Sequence, residues 1–190
     1  MYLNRNFFLI LFLFLFSCQP LEFIAPIDFD NSNLKKTSIN ANTIIIKNNY
    51  SPSFSENNIE YQLSSPPVSR IQNWIEQNIS KFGNQNKFYI NILDASISRI
   101  EINNENAKSF EEKKLYQYEI FILVEYELYN DSNYLLANTT VETSRSTTSQ
   151  KYISINETEL IINDLIFNSL IDFSNESILM LQKYMGEYLN

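Results

Sequence analysis

The sequence predicts a two-layer α+β domain, a mostly antiparallel sheet of about four strands with two helices on one face, in the order β-α-β-β-β-α. Three observations predict it. Tyr116, Tyr118, Ile120, Ile122, Val124, Tyr126 and Leu128 alternate with mostly polar neighbours at the period of a half-buried strand. Val68, Ile71, Trp74, Ile75, Ile79 and Phe82 recur at helical spacing, and so do Ile162, Ile166, Leu170, Phe173, Leu181, Tyr184 and Tyr188 near the end of the chain. One sheet face and two helix stripes have apolar surface to bury, and packing helices on the sheet buries all three.

The chain opens with Asn4, Arg5 and Asn6, then an unbroken apolar run from Phe7 to Phe16. That run is too short to span a bilayer, which takes about 20 residues, and it falls within the roughly 7 to 15 of a secretory signal's apolar region. Residues 1–17 are therefore expected to be a signal peptide. Residues 18–40 mix Pro, polar and scattered apolar residues without either period, and read as a tether. A single domain is expected over 41–190.

Within that domain Ile44 to Ile46 suggest a first strand, and a polar connection follows as far as Pro66-Pro67. The prolines suit a first helical turn, where their missing amide hydrogens would be unpaired anyway, so a helix is expected from Pro67 to Phe82 with Gly83 as its C-terminal cap. Lys87 to Ile102 is rich in β-branched residues, and its alternation slips near Asp94-Ala95 and again near Arg99, as bulges would make it do. The next strand is the one described above. After the turn Asn130 to Asn133, Ala137, Thr139, Val141 and Thr143 alternate with polar residues, completing a meander. Ser154 and Glu157 form a capping box, from which a helix to about Leu189 would run roughly 50 Å, about the length of the longest strand.

Composition excludes several chemistries. With no His and a single Cys, the chain cannot write a Cys/His zinc site or a His-based triad, and its two glycines cannot form a phosphate-cradling loop. No catalytic constellation or metal cluster stands out, and no cofactor is expected. A net charge of −8, with no basic run beyond Lys35-Lys36 and Lys113-Lys114, argues against nucleic acid as a partner.

Leu15, Phe16, Ser17 and Cys18 resemble the lipobox of bacterial lipoproteins: an aliphatic residue, a small one before the cleaved bond, and cysteine. The resemblance implies cleavage between Ser17 and Cys18, a diacylglycerol on the Cys18 sulfur and an acyl chain on the new amino terminus. It accounts for the lone cysteine, which would otherwise be an unpaired thiol in an oxidising compartment. Two or three acyl chains give stable anchoring, where one gives marginal binding. Gln19 is not the Asp that retains enterobacterial lipoproteins in the inner membrane, so the expected address is the periplasmic face of the outer membrane.

The order of elements behind such a cysteine resembles the lipoprotein partner of the lipopolysaccharide translocon and the auxiliary lipoproteins of ABC-type lipid transporters. Closer still is a resemblance to uncharacterised lipoproteins of alphaproteobacteria, carried by Pro67 to Trp74, Asp94-Ala95 and Arg145-Ser146. The translocon partner usually has Gly-Phe after its cysteine, where this chain has Gln19-Pro20.

Trp74 lies on a helical stripe and reads as core. Tyr116, Tyr118 and Tyr126 also read as core, and Glu111 to Lys114 as a solvated connection. Phe121 and Leu123 interrupt the polar side of their strand and are the expected contact patch for a partner, unless the tether or a loop meets them. Arg145 stands in a Thr/Ser-rich strand, where its guanidinium would bind a carboxylate or phosphate, or sit at a sheet edge. The expectation is a non-catalytic envelope lipoprotein with a protein partner. Its alternatives are a lipid- or lipopolysaccharide-binding module beside an ABC-type transporter, and an envelope enzyme using carboxylates.

Overall fold

The computed structural model describes residues 34–190, so the signal peptide 1–17, Ser17, Cys18 and most of the tether lie outside the described residues. The elements are β1 (Thr37–Asn40), β2 (Thr43–Asn48), α1 (Pro67–Asn78), β3 (Ile79–Phe82), β4 (Lys87–Asn103), β5 (Lys114–Tyr129), β6 (Leu135–Gln150) and α2 (Ile155–Met185). The fold is α+β: a four-stranded sheet in the order β2-β4-β5-β6 carries α1 and α2 on one face. The meander β4-β5-β6 is antiparallel, and β2 adds to β4 in parallel.

A second, two-stranded sheet pairs β1 with β3 in parallel. It corrects two expectations. Thr37 to Asn40 belong to the folded domain rather than the tether, because Ile39 is completely buried and the strand is hydrogen-bonded to Ile79–Phe82. A strand this short has one inward apolar side chain and so no visible period. The first helix stops at Asn78, not Phe82: the last two apolar residues of its stripe, Ile79 and Phe82, fit helical spacing, but their backbone completes the β1 pairing. Gly83, with φ of +93°, serves the turn after β3 instead of capping the helix. A methyl group there would stand 2.1 Å from Asn40 Oδ1.

β4 contains one register shift, between Ile92 and Asp94, with Leu93 the extra residue. The expected second bulge near Arg99 is absent, and pairing stays regular to Asn103. There the chemistry reverses while the backbone does not. Arg99 and Glu101 take the inward positions, with the Arg99 guanidinium 4.9 Å from the centre of the Tyr116 ring and Glu101 in ion pairs with Lys114 and Lys151.

The core lies between the inner sheet face and the helices. Tyr118, Ile120, Ile122, Val124, Tyr126 and Leu128 are all buried, as their alternation predicts, and Trp74 meets Phe173 edge-on at 5.3 Å. Helix α2 begins with the expected capping box at Ser154 and Glu157. Its polar dip is part of the core contact: Ser174 and Ser177 are buried, and the Tyr126 hydroxyl donates to Ser177 Oγ at 2.9 Å. Burial pushes the Tyr126 hydroxyl well above the usual range of a phenol. Met185, rather than Tyr184, ends the buried stripe.

The Lys114 and Lys151 ammonium groups hold the Glu101 carboxyl at about 2, below its ordinary value of 4.5. Its folded-state pKa is depressed, so the stability it contributes is present above pH 4.5 and is lost as pH falls toward 2. Thermal melts between those limits should show a shallower loss of stability on acidification in Glu101→Gln than in the parent protein.

Candidate functional site

The register divides the sheet into two faces, because residues directly opposite one another on neighbouring strands share a face. On the face turned away from the helices, Leu123 stands between Asp94 of β4 and Glu142 of β6, and Phe121 stands between Ser96 and Ser144. Both are half-buried, and Leu93 beside them is 36% exposed. Glu119 and Glu125 follow on either side along β5, with Glu127 beyond Glu125. The result is an apolar centre in an acidic surround.

Those carboxylates are held in place. Asn91, only 6% exposed, donates from Nδ2 to Glu125 Oε2 and to Glu127 Oε2, each at 3.0 Å. The Tyr129 hydroxyl donates to the other Glu127 oxygen at 3.1 Å, which raises the pKa of that phenol. Tyr129 meets Tyr89 edge-on, and Lys47 Nζ lies 4.6 Å from the centre of the Tyr89 ring. Ser144 Oγ donates to Glu119 Oε1 at 3.3 Å, and the Ser96 amide donates to Asp94 Oδ1 at 2.8 Å. Among the described residues, ion pairs join Glu101 to Lys114 and Lys151 and join Asp172 to Arg145. No ion pair among them includes Asp94, Glu119, Glu125, Glu127 or Glu142.

Phe121 and Leu123, the expected contact patch, share the outer face, and Arg145, the separate candidate, does not. Arg145 is opposite Ile120, on the helix-bearing face, with Nη1 2.5 Å from Asp172 Oδ2 of α2. Its carboxylate partner is internal. The parity it shares with Val141 was the available signal. Leu93 was missed because it is not placed until the bulge is known, and Asn91 because nothing in its strand marks it as the donor to two glutamates.

Two further features have chemical character. A groove of about 510 Å³ lies between α1, β2 and β3, lined by Ile44, Ile46, Ile75 and Ile79 with Glu76 and Lys81 at its polar side. Near the start of α1, Glu60 is 2% exposed, and its Oε1 accepts from the Tyr50 hydroxyl at 2.7 Å and from the Ile97 amide at 2.9 Å. Burial and this carboxylate push the Tyr50 hydroxyl far up. No group of three or more potential metal ligands converges among the described residues, and no helix among them is long and apolar enough to cross a membrane.

No family model matches the chain, and no curated protein matches it. Solved structures with a similar course include a minor lipoprotein from Acinetobacter baumannii, at 9% identity and a TM-score of 0.41, covering 76% of this chain and 91% of that one. Another is the rare lipoprotein B from Shewanella oneidensis, at 11% identity and 0.34, covering 73% and 94%. A third is a neuraminyllactose-binding hemagglutinin homolog from Helicobacter pylori, at 12% identity and 0.34, covering 80% and 89%. These are distant likenesses.

Because Arg145 and Asp172 are each nearly half exposed, their ion pair contributes little. A double-mutant cycle with Arg145→Ala and Asp172→Ala, read by urea unfolding, should give a coupling of about 1 kcal/mol or less.

Proposed function

We propose that this chain is a non-catalytic lipoprotein, fastened through lipid on Cys18 to the periplasmic face of the outer membrane, and that it serves as a scaffold or accessory subunit of a cell-envelope assembly or transport complex. The observation that carries the reading is the outer sheet face, on which no helix of the described residues packs: Phe121, Leu123 and Leu93 interrupt a polar surface at its middle. Clustered exposed apolar residues rimmed by polar ones mark interaction sites. The anchor rests on Leu15, Phe16, Ser17 and Cys18. Asp94 and Arg145-Ser146, which the resemblance to other lipoproteins invokes, serve here as parts of the sheet.

Two measurements test this reading. Mass spectrometry of the amino-terminal peptide should find acylated Cys18 and no residues before it, and Cys18→Ala should leave the protein unprocessed and unacylated. Chemical crosslinking in intact membranes, followed by pulldown, should recover a discrete envelope protein. A thiol without lipid, or the absence of any envelope partner, overturns the proposal.

A second reading, a lipid-binding module beside a transporter, is favoured by the isoleucine-lined groove, whose volume is in the range of small-molecule sites. Solvent extraction of the purified protein should then release a stoichiometric noncovalent lipid, and Ile46→Glu, at a half-buried position of the groove, should abolish it while thermal melts show the variant folded. The carboxylate-enzyme alternative calls for two acids in a deep pocket. Glu125 and Glu127 meet at Asn91, but on the sheet face away from the helices.

A further inference from the structure

Resting on the scaffold reading, we propose that the outer face of the sheet docks a protein surface of one stated chemistry: an apolar contact for Phe121, Leu123 and Leu93, ringed by Lys or Arg side chains that pair with Asp94, Glu119, Glu125, Glu127 and Glu142. The argument is the charge inventory of this face. Five carboxylates lie within a few strand positions of one apolar centre, and none has an ion-pair partner among the described residues. Ion pairs among the described residues are confined to Glu101 with Lys114 and Lys151 and to Asp172 with Arg145, so what sets this face apart is the gathering of five unpaired acids around one apolar centre. The nearest cations on the outer face, Lys47 and Lys87, make no ion pair with these acids: Lys47, opposite Asn91 in the row of Glu125, has its Nζ 4.6 Å from the centre of the Tyr89 ring, and Lys87 Nζ donates to Asn133 Oδ1 at 3.3 Å.

The same inventory selects against other occupants. A second copy presenting the same face would set five carboxylates against five. Phosphate-bearing lipid headgroups are repelled for the same reason. A basic rim on the partner neutralises the face, steers the encounter and fixes the orientation, while the apolar centre supplies the area removed from water.

The experiment places a photoreactive benzophenone residue at Phe121 in the full lipidated chain, with a control at Ile155, which is 81% exposed at the start of α2. The Phe121 position should yield one protein adduct, whose crosslinked peptide carries Lys or Arg beside apolar residues, and the Ile155 position none. Adduct yield should fall about tenfold in the double variant Glu119→Lys, Glu142→Lys and when salt rises from about 0.05 M to about 0.5 M. Glu159→Lys, on the exposed side of α2, should leave it unchanged, with thermal melts showing that each variant is folded. An adduct insensitive to charge reversal and salt, an adduct with a second copy, or an adduct with lipid overturns the inference. A charge-insensitive protein adduct from Ile155 alone overturns this face while leaving the scaffold reading intact. No adduct from either position removes both.

Discussion

The alternation of β5 is the constraint on which the other elements depend. This strand is hydrogen-bonded on both sides, to β4 and to β6, so the parity of its side chains fixes the parity of the meander. A slip of one residue would exchange Tyr118, Ile120, Ile122, Val124, Tyr126 and Leu128 for Glu119, Phe121, Leu123, Glu125 and Glu127 on the helix-bearing face. Four buried apolar residues and two tyrosines would come out, and three glutamates would go in. No other register is affordable, and the helices have one face to pack against.

The bulge at Leu93 follows from that constraint. Phe88, Ile90 and Ile92 point into the core at even positions, whereas Ala95 and Ile97 do so at odd ones. Without an extra residue between them, one half of β4 would present its polar set to the helices. The bulge corrects the parity and leaves Leu93 spare, partly exposed beside Leu123. The irregularity that keeps the core continuous therefore also enlarges the apolar centre of the opposite face. The free edge of β4 beyond Ile92 needs cover as well, since β2 stops pairing there. Asn57 to Ile59 supply it, through Ile59 N to Ile97 O at 3.1 Å and Arg99 N to Asn57 O at 2.7 Å, and Glu60 closes the row by accepting from Ile97 N.

The meander, the stripe of α2 and the capping box were legible because each repeats over many residues, which lets period outweigh accident. Short elements were not. β1 and β3 have four residues each, and their pairing joins segments about forty residues apart, a contact that no local pattern encodes. The end of α1 was misread for the same reason: Ile79 and Phe82 satisfy a helical spacing, and the strand partner that outcompetes the helix lies elsewhere in the chain. At the site, Phe121 and Leu123 could be found from β5 alone. The place of Arg145 required the parity of β6 to be carried past Val141, and the contribution of Leu93 required knowledge of the bulge. Asn91, a polar residue in an otherwise β-branched strand, gave no signal that it would hold two glutamates.

Uncompensated charge on the outer face has an energetic meaning apart from any partner. Like charges on adjacent strand positions repel, and Asn91 limits the cost by donating to both Glu125 and Glu127, yet an amide carries no net charge to cancel theirs. Lys114 and Lys151 show that the chain does place cations against acids on the inner side of the same sheet. The outer face combines two features that each disfavour the isolated domain, apolar side chains only partly removed from water and carboxylates in no ion pair among the described residues, at one set of strand positions. Among the described residues no cation pairs with these acids, and the proposed basic-rimmed partner would supply that compensation. The helices make the division of labour possible, since they bury the apolar middle of the opposite face, from Tyr118 to Leu128 of β5, and leave this one with no core role to fulfil.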